Sequence, residues 1–221
     1  MSKRTTVINQ ILEQGTLPLF FTPSEKDTIE IAQTVYSAGV KVIEYTNRGE
    51  EALRNFKSLK KEALKSMPDL QLGIGTIKTA READNFIDAG ADFIVAPTIN
   101  PEVGRAAHNA DLLWIPGCMT PTEISIAQGH DADIIKIFPA NILGVEFLKS
   151  IKSLFSGQKF MPTGGVNLTE ENIRGWFEAG VCAVGMGSQL ISNDVIKEKK
   201  YDLLKERTET VLKLIKTIQK K

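Results

Sequence analysis

Lys136 lies in the middle of an apolar stretch, DIIKIFPA (residues 133–140), that is typical of a buried β-strand. Side chains alternate along a strand, so Ile134, Lys136 and Phe138 share one face. Both faces of a parallel strand are normally covered, and the ammonium group should therefore lose hydration. Such burial lowers the pKa of a lysine and yields the free amine that Schiff-base chemistry requires. The alternatives are a lysine that reaches the surface or pairs with a carboxylate.

Glu44 is the acid that could work with this amine. It shares one face of a predicted strand with Val42 and Thr46, so its carboxylate points inward if theirs do. Burial would raise the pKa of the carboxyl group toward the range useful for proton transfer. A structural ion pair with Lys136 or Arg48 is an equally good interpretation. Arg48 follows the strand and could clamp a substrate carboxylate, although an ordinary surface arginine fits the sequence too.

Two glycine-rich loops follow the last two predicted strands, at Gly164-Gly165 and at residues 185–188. Glycines let backbone N–H groups approach phosphate oxygens closely, and a helix that starts after the loop adds a favourable dipole. Either loop alone is weak evidence because turns need glycine. Together they predict a phosphate site. Gly73 and Gly75, in contrast, are more simply explained as strand glycines that make room in a barrel centre.

The composition excludes several classes of protein. The chain has 221 residues, with 27 basic and 27 acidic side chains, so bulk charge indicates neither nucleic-acid nor membrane binding. Its apolar runs are too short to span a bilayer, and its N-terminus does not resemble a signal peptide, which predicts a cytoplasmic protein. The two cysteines, Cys118 and Cys182, are too few for a zinc motif and are expected to be buried.

Eight strand-then-helix units follow one another along the chain. Strands that alternate with helices predict a parallel sheet, and eight of them predict a single (β/α)8 barrel domain, residues 1–221, with an extra N-terminal helix. An open doubly wound sheet is less consistent because no dinucleotide-binding loop follows strand one. The predicted strands are residues 17–21, 42–46, 70–76, 92–96, 112–117, the lysine strand, 159–163 and 182–185. The predicted helices are 4–14, 27–38, 50–65, 79–89, one after Pro101, 120–128, 144–154, 168–179 and a C-terminal stretch to Lys221.

The barrel prediction places the polar candidates together, because functional groups of such barrels lie at the carboxyl ends of the strands. In order and spacing, several motifs resemble those of the 2-keto-3-deoxy-6-phosphogluconate (KDPG) and 4-hydroxy-2-oxoglutarate (KHG) aldolases. The likeness spans about residues 5–195. The motifs are EYTNR (44–48), GT (75–76), PG (116–117), KIFPA (136–140) and PTGG (162–165).

The resemblance implies a metal-free, cofactor-free class I aldolase that works as a homotrimer. It implies that Lys136 forms the Schiff base and Glu44 moves protons. It further implies cleavage of KDPG to pyruvate and glyceraldehyde 3-phosphate, with KHG, cleaved to pyruvate and glyoxylate, as a second substrate. The implied substrate-binding residues are Arg48 and Thr76 for the carboxylate, Pro97 in the pocket wall, and Thr163, Gly164, Gly165, Gly187 and Ser188 at the phosphate end.

Two departures from the family pattern fall near the phosphate end. Met186 precedes Gly187-Ser188 and Gln189 follows, where better-known members have Gly-Gly-Ser and a bulky aromatic residue. The first strand also ends without a basic residue. Two other functions compete with the aldolase: another phosphate-binding barrel enzyme, such as an isomerase or a magnesium-dependent synthase, and a non-catalytic phosphosugar-binding protein. The synthase would need strand-end carboxylates for its metal, and a binder has little reason to bury an amine beside an acid.

Overall fold

Short parallel strands alternate with helices throughout the residues that the computed structural model describes, 2–220. Met1 and Lys221, which the predicted domain included, lie outside the described residues, as does the end of the predicted C-terminal helix. The strands are β1 (Thr16–Phe20), β2 (Val42–Thr46), β3 (Gln71–Gly75), β4 (Phe93–Val95), β5 (Leu113–Ile115), β6 (Gly117–Cys118), β7 (Ile134–Ile137), β8 (Lys159–Pro162) and β9 (Val184–Met186). The helices are α1 (Lys3–Gln14), α2 (Glu25–Ser37), α3 (Ala52–Ser66), α4 (Ala80–Asp88), α5 (Pro101–Asn109), α6 (Pro121–Gly129), α7 (Ala140–Ile151), α8 (Glu170–Glu178), α9 (Asn193–Lys197) and α10 (Tyr201–Gln219), with a 3-10 turn at Lys152–Phe155.

Local sequence explains where several helices begin and end. Thr79 and Thr120 each accept a hydrogen bond from the N–H of the glutamate three residues later, and that glutamate bonds back in a capping box. Such a cap stabilises a helix by about 1 kcal/mol. Helix α1 ends at Gly15, whose φ of 66° is the left-handed conformation that glycine adopts without strain. These signals hold each helix directly before or after its strand.

The strands form a curled, half-barrel sheet, which confirms the predicted α/β class with parallel strands. Six strands run in the order β5-β4-β3-β2-β1-β9, and three more in the order β6-β7-β8. Every strand pair is parallel, with Glu44 opposite Gly73 and Lys136 opposite Met161. The six-stranded and three-stranded sheets meet where Pro116 separates β5 from β6.

Most predicted elements differ from the structure by one or two residues at their ends, and three differ by more than that. The predicted strand 112–117 is split, because Pro116 has no N–H to donate to a ladder. Helix α7 begins at Ala140 rather than at residue 144, since the N–H groups of Ala140 and Asn141 bond to carbonyls of the loop after β8. Gly144 is instead a non-helical kink inside α7. The predicted C-terminal helical stretch consists of two helices, α9 and α10.

Two clusters of buried apolar side chains show which way each strand faces. Ile135 and Ile137 pack in the outer cluster with the helices, whereas Ile134 belongs to the inner cluster. Val7 and Ile11 of α1 join that inner cluster, so the N-terminal helix covers one end of the curled sheet. Within residues 2–220, no helix combines the length and the apolar character needed to cross a bilayer.

Candidate active site

A cavity of about 470 Å³ opens at the carboxyl ends of the strands. Consecutive strands present their ends there because parallel strands all point the same way. Every predicted site residue except Glu44 lines this cavity: Arg48, Thr76, Pro97, Lys136, Thr163, Gly164, Gly165, Gly187 and Ser188. The structure therefore brings together residues that lie up to 140 positions apart in the chain.

Lys136 points inward from β7 and reaches the cavity from below. Its inward neighbour two residues earlier, Ile134, is in the inner apolar cluster, and Lys136 itself is only 5% exposed. Burial lowers the pKa of its amine, a nearby Glu44 raises it, and the positive charge of Arg48 lowers it further. Its Nζ atom lies 4.9 Å from the centroid of the Phe138 ring. The net effect is a larger fraction of free amine near neutral pH than an exposed lysine has.

Glu44 lies on the same inward face as Val42, which packs in the inner cluster. The residue is 1% exposed, and its Oε2 atom is buried without a hydrogen-bond partner among residues 2–220. Burial raises the pKa of this carboxyl group, and the positive charges of Lys136 and Arg48 partly offset that rise. Among the ion pairs within 4.0 Å between described residues, Glu44 forms none. The carboxylate and the amine therefore influence each other without forming a closed salt bridge.

Thr163, directly after β8, resembles Glu44 in having a buried side-chain oxygen that lacks a hydrogen-bond partner within residues 2–220. Its side chain is buried, and its Oγ1 atom has no hydrogen-bond partner among the described residues. A β-bridge pairs it with Gly185, and a Cβ atom at that glycine would lie 2.2 Å from Thr163 Oγ1. Glycine in the neighbouring strand thus leaves the space that this hydroxyl group occupies. A buried hydroxyl without a partner in a cavity wall is available to a ligand.

Thr76 has a backbone conformation that residues other than glycine rarely adopt, with a φ of 64°. Backbone bonds on either side hold it there: Asn47 N–H donates to Gly75 O (2.8 Å) and Ile77 N–H donates to Val95 O (3.3 Å). Such strain costs about 1–3 kcal/mol and is concentrated at functional sites. Arg48 is exposed yet lines the cavity, so it is placed to meet a ligand.

The glycine loops differ from each other in conformation. Gly164 and Gly165 both have positive φ, 96° and 75°, which only glycine adopts freely. The second loop turns back on itself, because the N–H groups of Leu190 and Ile191 both donate to Gly187 O. Neither loop runs directly into a helix, since α8 begins at Glu170 and the five-residue α9 at Asn193. The prediction that a helix dipole at the end of each loop would favour phosphate binding is therefore not supported.

Comparison with known proteins identifies the family. Residues 7–206 match the model of the family described as "KDPG and KHG aldolase". The chain belongs to this family. The resemblance seen in the motifs is thereby confirmed, and with it the enzyme class, an aldolase and hence a lyase.

Relatives of this aldolase match over nearly their full length. A 2-dehydro-3-deoxy-phosphogluconate aldolase of Haemophilus influenzae is 27% identical over 95% of this chain and 97% of its own. The KHG/KDPG aldolase of Escherichia coli K12 is 28% identical over 91% and 93%. Among solved structures, a KDPG aldolase from Legionella pneumophila with pyruvate captured as a covalent carbinolamine has a TM-score of 0.84. It is 26% identical, and the alignment covers 93% of this chain and 97% of that one.

Several cavity residues of this aldolase were not predicted. Phe138 follows Lys136 on the inward face, so alternation along the strand could have identified it. Phe20 and Phe21 lie at the end of β1 and could have been found from the rule that site residues lie at the carboxyl ends of the strands, which also predicted Arg48. Asn193 enters from α9, beyond a turn whose path no local pattern in the sequence predicts.

Proposed function

We propose that this chain is a Schiff-base aldolase that cleaves KDPG to pyruvate and glyceraldehyde 3-phosphate, with KHG, cleaved to pyruvate and glyoxylate, as a second substrate. One observation carries the proposal: a buried lysine amine lines the cavity, and a buried carboxylate on the same inner surface lies close enough to raise the pKa of that amine. The Oε2 atom of this carboxylate has no hydrogen-bond partner among the described residues. Burying both groups is costly for stability, and a catalytic role accounts for that cost.

The cleavage follows from the chemistry of these two groups. The free amine of Lys136 attacks the C2 carbonyl of the substrate, and loss of water gives a protonated imine. Glu44, acting through water, removes the proton of the C4 hydroxyl group, the C3–C4 bond breaks, and its electron pair moves into the imine. The aldehyde leaves, and an enamine remains on Lys136. Glu44 returns the proton to C3, and hydrolysis of the resulting imine releases pyruvate and the amine. General acid–base help of this kind is worth about 10²–10⁴-fold in rate.

The cavity wall suggests how the substrate is oriented. We assign the substrate carboxylate to Arg48 and Thr76, because a guanidinium group can bind a carboxylate with two parallel hydrogen bonds. Pro97 lies in the wall beside them. The phosphate end is assigned to Thr163 and to the loop glycines Gly164 and Gly165, with Gly187 and Ser188 opposite. Left-handed glycines expose backbone N–H groups in a concave arrangement, which suits an anion.

We also propose that the two sheets make up one closed eight-stranded barrel in a single domain. The parallel bridge between Thr163 and Gly185 supports closure. So does the hydrogen bond from Cys182 N–H, two residues before β9, to Phe160 O in β8 (2.9 Å). Across the break at Pro116, Lys136 N–H donates to Pro116 O (2.8 Å), so β7 stays attached to the strand that the proline interrupts.

The predicted homotrimer is retained as a proposal. Three apolar side chains are exposed on elements that flank β7 in the chain: Met119 after β6 (43%), Ile126 on α6 (42%) and Ile142 in the first turn of α7 (65%). Exposed apolar residues on adjacent elements are typical of a subunit interface. The cytoplasmic location and the independence from metal ions and cofactors stay predictions.

Reductive trapping tests the function. Incubation with pyruvate and borohydride should inactivate the enzyme and attach one reduced pyruvate unit to Lys136, identified by peptide mass spectrometry. Lys136→Met should lose both labelling and cleavage, whereas Lys159→Met, at the opposite end of the neighbouring strand, should keep both. Labelling at another lysine, or activity in Lys136→Met, would refute the mechanism. An isomerase, a synthase or a binding protein would form no such adduct.

A further inference from the structure

Gly75 lies directly beneath the carboxylate of Glu44. A Cβ atom built at Gly75 would be 1.7 Å from Glu44 Oε1, 2.5 Å from Cδ and 2.9 Å from Cγ. In the pairing of β2 with β3, however, Glu44 stands opposite Gly73, and Gly75 stands opposite Thr46. The side chain of Glu44 therefore leans along the sheet, two positions toward the carboxyl ends of the strands, where the cavity lies.

The space directly opposite Glu44 is already filled. A Cβ atom at Gly73 would be 2.2 Å from Cε2 of Phe93, so the aromatic ring of Phe93 occupies the volume that this glycine leaves free. Phe93 is fully buried in the inner apolar cluster. The two glycines of β3 thus serve different neighbours: Gly73 accommodates the ring, and Gly75 accommodates the carboxylate.

No hydrogen bond from the part of the chain that the structure describes holds the Oε2 atom of this carboxylate in place. The Oε2 atom of Glu44 is buried without a partner, and no ion pair within 4.0 Å joins Glu44 to another described residue. Most buried carboxylates are fixed by such bonds. The carboxylate instead occupies the space that Gly75 leaves free by lacking a Cβ atom.

We propose that Gly75 is a positioning residue: by lacking a side chain, it holds the Glu44 carboxylate toward the cavity and thereby within reach of a substrate bound to Lys136. The proposal rests on the proposed role of Glu44 in moving protons. Gly75 has no positive φ, so alanine can adopt its backbone conformation. The atoms in the way belong to one side chain that can rotate, so Gly75→Ala should fold with a displaced carboxylate.

The test separates imine formation from proton transfer. Gly75→Ala should still form the trapped pyruvate adduct on Lys136, because the three atoms nearest to the new Cβ all belong to Glu44 and none to Lys136. Exchange of the pyruvate methyl protons with solvent, followed by NMR, should slow by about 10²-fold, in line with loss of a general acid–base group. Gly73→Ala is the matched control: it crowds Phe93 in the same strand, and it should lower the melting temperature while keeping most of the exchange rate.

A double variant decides whether Gly75 acts through Glu44. If it does, adding Gly75→Ala to Glu44→Gln should slow exchange by no more than about 3-fold beyond Glu44→Gln alone, since coupled residues are not additive. Losses that multiply would overturn the positioning role, and so would an equal loss in Gly73→Ala. Normal exchange in Gly75→Ala, with Glu44→Gln impaired, would overturn the positioning role alone. Normal exchange in Glu44→Gln would overturn both this inference and the proposed role of Glu44.

Discussion

Replacing Glu44 with glutamine should move two steps of the reaction in opposite directions. Glutamine keeps the shape of the side chain but carries no charge and no titrating proton. The negative charge of Glu44 raises the pKa of the Lys136 amine in the wild type, so its removal should lower that pKa. More free amine should then be present at low pH, and the pyruvate adduct should form at lower pH than in the wild type. Cleavage and methyl-proton exchange should nevertheless fall, because the proton carrier is gone.

The structure limits the size of the pKa effect. Since no ion pair within 4.0 Å joins the two groups, their charges are separated by more than that distance. At an effective dielectric constant of about 20, the interaction is then below about 4 kcal/mol. The midpoint for adduct formation should therefore move toward acid by an amount that this interaction energy limits. We expect the midpoint to move toward acid and the turnover to fall by at least about 10²-fold.

The assay is the rate of adduct trapping by pyruvate and cyanoborohydride between roughly pH 5 and pH 8, a range in which buried lysines can lose their proton. Glu50→Gln, which removes an exposed acid nearby in the chain, is the control and should leave the midpoint unchanged. An unchanged or more alkaline midpoint in Glu44→Gln would contradict the proposed coupling. Near-normal turnover, accompanied by reduced thermal stability, would mean that Glu44 only balances charge.

Two further predictions concern the phosphate loop and the cysteines. Gly164→Ala should raise KM for phosphorylated substrate while pyruvate trapping stays unchanged. The new Cβ would meet Phe138 at an ordinary distance of 3.5 Å, but a backbone φ of 96° strains alanine by about 1–3 kcal/mol. An equal loss in both assays would contradict a role limited to phosphate binding. Burial raises the pKa of both Cys118 and Cys182 to about 12, so at pH 8 the native thiols should be alkylated by iodoacetamide at least about 10³-fold more slowly than the unfolded ones, as measured by mass spectrometry. Rapid labelling of the native protein would contradict this burial.

The succession of strands and helices could be predicted because local signals mark it. Thr79 and Thr120 begin helices through their own side chains, and Gly15 ends one through its left-handed backbone. Such signals depend on a few consecutive residues and therefore appear in the sequence. The start of α7 depends instead on bonds from Ala140 and Asn141 to the loop after β8, about 20 residues later in the chain, and local sequence carries no trace of those bonds.

The candidate site was predictable to the same degree and for the same reason. Alternation along a strand determines which face a side chain belongs to, and this was enough to direct Lys136 and Glu44 inward. It does not determine how far a side chain leans along the sheet. Gly73 is the residue opposite Glu44 in the strand pairing, but the Glu44 carboxylate lies next to Gly75. The ring of Phe93, from the next strand, already fills the space at Gly73. The position of the Glu44 carboxylate thus depends on three strands at once. The residue pattern along any one strand predicts the face of the sheet on which the side chain lies, but not how far along the sheet its carboxylate extends.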